Sequence, residues 1–215
     1  MIVMNRTSSE IGMSLVCLGL ILIAGCSDVP KPPPRFQIDP QQAAQEAMKL
    51  YDRNGDGTLD AKELTASPPL EELLKNLKSR SAGHPDGLTA EDISSRLDEW
   101  LKAPTILLPG TVVVTLDGKP LEGATVIFEP EPFLGSSYHS HQGKTNAAGM
   151  AILDAELKDF PNEIYVGLYR VRISKIVGGK ESLPPRYNTE SELGREVATN
   201  IRDGRENVMF RLKSK

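Results

Sequence analysis

A chain of 215 residues has room for two modest domains, or for one domain with appendages. Its composition is that of an ordinary globular protein, 39% hydrophobic and 25% charged, with a slightly raised proline content. The formal net charge of −4 speaks against a nucleic-acid partner, which calls for a basic face, and aromatics at 5% offer no stacking platform for bases or sugar rings.

The chain opens on a weak basic region around Arg6, followed by an apolar run from Ile11 to Ala24, IGMSLVCLGLILIA. This run is shorter than the roughly 20 residues a transmembrane helix needs. It has the length of a signal-peptide core, and the small residues Ala24 and Gly25 suit a peptidase cleft. The tetrad Ile23-Ala24-Gly25-Cys26 resembles the lipobox of bacterial lipoproteins. That resemblance implies a signal peptide over residues 1–25, lipid on the Cys26 sulfur, and Cys26 as mature N-terminus; an ordinary secretory signal or a short anchor is the alternative. The expected localisation is the cell envelope, exported and held at a membrane by the lipid. Of the two cysteines, Cys17 lies in the part to be removed and Cys26 is taken by lipid, so no disulfide and no thiol chemistry is expected.

Residues 26–40 read as a tether. Ser27 to Pro40 holds five prolines, and extended proline-rich chain rises about 3.1 Å per residue. From Gln41 to about Lys102 the pattern is helical, and residues 41–103 are expected to form one domain. Gln41 to Tyr51 presents Ala44, Met48 and Tyr51 at helical spacing. A short helix after residue 63 is expected to break at Pro68 and Pro69. The next runs from Leu70 to about Arg80, with Leu70, Leu73, Leu74 and Leu77 on one stripe. The last begins near Thr89, where TAED reads as a capping box with Asp92 at its third position, and buries Ile93, Leu97 and Trp100 or Leu101.

Between the first two helices lies Asp52 to Glu63, DRNGDGTLDAKE. Calcium takes six to eight hard oxygen ligands, and a twelve-residue helix–loop–helix motif supplies them from positions 1, 3, 5, 7, 9 and 12. Those positions are Asp52, Asn54, Asp56, Thr58 through its carbonyl, Asp60 through water, and Glu63 with both oxygens. Gly57 stands at position 6, where the chain turns back around the ion, and Leu59 at position 8 faces a partner loop. The stretch is identified as an EF-hand loop, with calcium as its cofactor. It resembles the dockerin loop as well, although dockerins tend to end on Asp and to repeat the loop. EF-hands pair, and Ser81 to Asp92, SAGHPDGLTAED, echoes the motif, with Ser81 and Gly83 at the early ligand positions and the space from Gly87 to Leu88 one residue short. It reads as a degenerate second hand that pairs through Leu59 and Leu88.

The character changes at Ala103-Pro104. The runs 111–116, 124–129, 150–155, 168–176 and 207–212 read as strands separated by turn residues, and residues 104–215 are expected to form an antiparallel β-sandwich. The stretch Glu131 to Lys144 reads as an exposed loop. GTVVVTLDGKPLEGATVIFEP (110–130), KTNAAGMAIL (144–153), LYRVRISK (168–175), PPRYN (184–188) and GRENVMFRL (204–212) resemble a carboxypeptidase regulatory-like domain, whose sandwich is transthyretin-like. No catalytic residue travels with that resemblance. His139 and His141 would share a face on a strand, but lack a third ligand; His84 is expected to be exposed. No G-x-S-x-G, H-E-x-x-H or phosphate loop occurs. The expectation is therefore an α+β multidomain, non-enzymatic protein whose sandwich meets a protein or glycan partner. A dockerin-like docking module, or an accessory domain of a metal-dependent hydrolase, is the alternative.

Overall fold

A computed structural model describes residues 38–154, 157, 159–201 and 208–215. The readings placed on residues 1–25, on Cys26 and on the tether up to residue 37 lie outside the described residues. Among the described residues no helix is long and apolar enough to cross a membrane.

The organisation is α+β, and among the described residues every α-helix lies before residue 102. Helix α1 (Pro40–Tyr51) starts where Asp39 accepts from the backbone N–H groups of Gln41 and Gln42 at 3.0 and 3.1 Å, and Pro40 occupies a first-turn position whose missing N–H has no helical partner. Its buried residues are Ala43, Ala44 and Ala47, with Met48 and Tyr51 only partly covered. Small side chains let α1 lie close against α4. A short strand β1 (Thr58–Leu59) and one helical turn, α2 (Ala61–Leu64), follow. Helix α2 has ended by Leu64, before the prolines, and helix α3 (Pro68–Arg80) begins on Pro68 and Pro69, two residues ahead of the expected start at Leu70. Ser67 caps it, and proline is tolerated in a first turn although not beyond it. Strand β2 (Leu88–Thr89) pairs antiparallel with β1, Leu59 opposite Leu88 and both fully buried. Helix α4 (Ala90–Leu101) carries the capping box of Thr89 and Asp92 and buries Ile93, Leu97 and Trp100.

The strands after residue 104 are β3 (Leu107–Pro109), β4 (Thr111–Leu116), β5 (Lys119–Pro120), β6 (Thr125–Pro130), β7 (His141–Lys144), β8 (Met150–Ile152), β9 (Glu163–Tyr165), β10 (Gly167–Ser174), β11 (Ile176–Val177), β12 (Lys180–Glu181), β13 (Leu193–Val197) and β14 (Val208–Leu212). One four-stranded sheet runs β13-β10-β6-β7 and is antiparallel throughout. In the other, β4 lies between β14 on one side and β5 and β8 on the other. Here the expectation of a purely antiparallel arrangement fails, because β14 runs parallel to β4, Val208 opposite Val112 through Leu212 opposite Leu116. The reason is topological. Strand β13 belongs to the other sheet, so β14 arrives by a crossover, and only a tight hairpin obliges its strands to be antiparallel.

Val112, Val114, Phe210 and Leu212 of one sheet meet Val126, Phe128, Val171 and Ile173 of the other, with Phe128 and Phe210 edge to face at 6.2 Å. The opposite face of the β13-β10-β6-β7 sheet carries the helices. Helix α3 packs on β13 and β10. Its first turn sits so close to Gly194 that a Cβ there would lie 2.1 Å from the Pro68 carbonyl carbon. The described residues lie in one compact unit, and buried residues of the helical and β segments join in one core.

The stretch 131–144 departs from the sequence reading. Glu131, Phe133, Leu134, Tyr138 and His141 are buried. Pro132–Leu134 form a 3-10 turn beneath α1, and His141–Lys144 pair with β6. Its apolar residues follow neither helical nor strand period, so no pattern marked them as core.

Candidate metal centre

The loop 52–63 begins at the end of α1 and finishes in α2, so both ends are set by helical backbone. Asp52 keeps its N–H on the Met48 carbonyl at 2.8 Å, which holds the first candidate ligand at the helix end. From there the short polar side chains hydrogen-bond to backbone ahead of them. Asp52 accepts from the N–H groups of Gly55 at 2.7 Å and Gly57 at 3.0 Å. Asn54 accepts from Asp56 N–H and Asp56 from Thr58 N–H, each at 2.8 Å. Gly55 and Gly57 take φ of +73° and +83°, and a Cβ at either would touch nothing within 4 Å. Glycine is thus required there by backbone conformation alone.

Asp60 caps α2, accepting from Lys62 and Glu63 N–H groups at 2.8 and 2.9 Å. Glu63 reaches back across the loop. Its Oε1 accepts from the N–H groups of Arg53 and Asn54 at 2.8 and 3.2 Å, and its Oε2 from Asp60 N–H at 3.1 Å. The side chain is 6% exposed, although it is the last residue of the loop read as a ligand set. Among the described residues no three His, Cys, Asp or Glu side chains stand together as a metal-binding group. The candidate set here draws on Asn54 and a Thr58 carbonyl as well, and its carboxylates rest on the loop's own N–H groups. A carboxylate has about four lone-pair sites, so these bonds leave each one acceptor capacity.

The donor chemistry, hard oxygens only, fits a calcium ion. So does the charge. Among the described residues, no salt bridge reaches Asp52, Asp56, Asp60 or Glu63. The second loop differs at this point. Lys78 pairs with Asp86, and the Lys78 ammonium holds that exposed carboxyl below the usual range. His84 Nε2 lies 3.2 Å from Asp92 Oδ1. Burial works against ionised Asp92, but the Thr89 N–H and hydroxyl, with His84, outweigh it and hold the carboxyl low. In the second loop Asp86 thus has a lysine partner and Asp92 a histidine ring beside it. The His84 side chain is only 12% exposed in this arrangement, contrary to the expectation of an exposed side chain. Gly87 is required by proximity, since a Cβ would lie 2.4 Å from Thr58 Cγ2 across the β1–β2 pair.

The other candidate pair does not assemble. His141 is buried on β7 with Nδ1 on the Asp154 carbonyl at 2.8 Å, while His139 lies before the strand and is exposed.

Two polar clusters that the sequence did not disclose join the helices to the sheet. In one, Arg96 Nε meets Glu196 Oε1 at 2.6 Å, Asn76 donates to Glu196 Oε2 at 2.6 Å, and Arg96 Nη2 donates to Asn200 at 2.8 Å. In the other, Glu131 accepts from the Tyr51 and Ser67 hydroxyls. Burial raises the Glu131 carboxyl above its usual range, opposed by those two hydrogen bonds and by Arg170. Burial, then the Glu131 charge, likewise raises the Tyr51 phenol. The partners are 64 to 120 residues apart in the chain, and no local pattern points to them.

Comparisons with protein-family models, with curated proteins and with solved structures find no match to this chain.

Proposed function

We propose that this protein is a calcium-binding, lipid-anchored component of the cell envelope, without enzymatic activity. In this reading the helical segment is an EF-hand pair with a degenerate second hand. The β segment is a carboxypeptidase regulatory-like, transthyretin-like sandwich that meets a protein or glycan partner. The observation that carries the calcium assignment is the contrast between the two loops. Asp52, Asp56, Asp60 and Glu63 place four carboxylates within one twelve-residue loop with no salt-bridge partner among the described residues. In the second loop the Lys78 ammonium pairs with Asp86, and the His84 ring lies beside Asp92. Carboxylates drawn to one site repel, and a divalent ion at the first loop would supply the positive charge that lets them converge.

The protein's own part is to hold the loop. Gly55 and Gly57 make its turns, and the Leu59–Leu88 contact backs it against the second loop. The close packing of α3 on the sheet supports a bracing role rather than a hinged sensor. Exported proteins meet abundant calcium, so an affinity as weak as about 10⁻⁴ M keeps such a site filled.

Metal analysis of the purified full chain tests the reading. It predicts one calcium per chain. Stoichiometric zinc would overturn it in favour of a hydrolase accessory, and two calcium ions in favour of a dockerin-like module. Lipidation at Cys26 predicts that labelled fatty acid enters the wild-type chain and not Cys26→Ala.

A further inference from the structure

Both ends of the candidate loop are tied to one buried carboxylate. Tyr51 is the residue before Asp52, and its hydroxyl donates to Glu131 Oε2 at 2.5 Å. Ser67 lies four residues beyond Glu63, and its hydroxyl donates to Glu131 Oε1 at 2.9 Å. The carboxylate is acceptor-only, so each hydroxyl commits its single proton to it, one on each oxygen. Glu131 is 3% exposed and is itself held by the β segment. It follows β6 directly, and its N–H donates to the Leu168 carbonyl at 2.9 Å. Arg170 on β10 reinforces the exit side by donating to the Ala66 carbonyl at 2.6 Å. The spacing between the entering and leaving helices of the loop is therefore referred to the sheet.

We infer that Glu131 is a positioning residue for the loop 52–63, clamping its two ends at a set separation and so coupling cation binding there to the packing of the helices on the sheet. This rests on the calcium reading above. A loop whose ends are already held loses less freedom when its oxygens gather on an ion, so the clamp raises affinity. Coupling between two sites is reciprocal, so a bound cation stabilises the clamped junction by the same factor.

The test is calcium titration by calorimetry on the full chain, with thermal melts in EDTA and in calcium. The expected result for Glu131→Ala is affinity about tenfold weaker, within the usual range for coupled sites, and a smaller rise in melting temperature on adding calcium. Glu131→Gln, whose amide can accept from Tyr51 and donate to Ser67, is expected to restore most of the affinity. Glu129→Ala removes a salt bridge to Arg172 on the same sheet, away from the loop, and is expected to leave calcium affinity unchanged. If Glu131→Ala does not fold, Tyr51→Phe and Ser67→Ala each remove one hydroxyl and are expected to weaken binding. Wild-type affinity in the Glu131→Ala or in both hydroxyl variants, or equal weakening in Glu129→Ala, overturns the clamp alone. Absence of calcium binding by the wild type overturns the calcium reading and the clamp with it.

Discussion

Replacing Arg96 with methionine probes the junction between the helices and the sheet. The Arg96 side chain is 1% exposed and that of Glu196 is 0% exposed. After Arg96→Met, Glu196 would retain only the Asn76 amide, 2.6 Å from Oε2, and its charge would stay buried without a partner. Breaking one side of a buried pair costs about 3 to 5 kcal/mol. The loss of a single hydrogen bond to a charged group, about 1.5 to 3 kcal/mol, sets the lower bound. Neutralising the partner as well removes most of that penalty, because the amide oxygen introduced by Glu196→Gln could still accept from Asn76. Arg96→Met/Glu196→Gln is therefore expected to recover at least ~2 kcal/mol over the single variant. Urea unfolding measures both values by linear extrapolation. Trp100 is the one tryptophan in the chain, is buried, and has the Arg96 guanidinium 5.8 Å from its ring centre. Its fluorescence reports the junction while far-UV dichroism reports the whole. A loss below about 1 kcal/mol in the single variant, or a double variant no more stable than the single, would refute the reasoning.

Leu88→Ala should cost about 3 to 5 kcal/mol, since Leu88 is fully buried against Leu59 and a cavity there cannot collapse into the two-residue ladder; urea melts in EDTA measure it. Hydrogen bonds from Arg80 at 2.6 and 3.0 Å, opposed by burial and helped by Arg96, bring the Glu99 carboxyl down to about 2. A depressed carboxylate contributes stability that is present above its ordinary value of 4.5 and lost as pH falls toward 2. Acid unfolding of Glu99→Gln should accordingly be flatter than wild type across that window, with the difference shrinking in high salt because the group is partly exposed.

Much of the backbone plan is visible in local pattern. TVVVTL is rich in β-branched residues and is β4 from end to end, Thr111–Leu116. TAED is the cap of α4, and Leu59 meets Leu88 as the echo between the loops implied. The candidate ligands are equally local, one twelve-residue run whose turns are made by its own side chains. What stayed hidden has a common physical cause. Strand β13, LGREV, packs against helix α3, and its Glu196 is buried because Arg96 and Asn76 reach it from 100 and 120 residues away. Strand β7, HQGK, has no apolar alternation, and only its pairing with β6 makes it a strand. Glu131 reads as one more loop acid until Tyr51 and Ser67 are seen on its two oxygens. A period-based reading finds residues that bury themselves by their own element, and misses charges that another element neutralises.

The most direct test of the central claim is calorimetric titration of the full chain with calcium, wild type beside Glu63→Gln. The substitution keeps the length of the side chain but leaves one acceptor oxygen where a bidentate ligand has two. The account predicts a single site in the wild type and binding at least about tenfold weaker in Glu63→Gln, the loss of one charged ligand being worth more than ~1.4 kcal/mol. Wild-type binding unaffected by Glu63→Gln, or no binding at millimolar calcium, would contradict it.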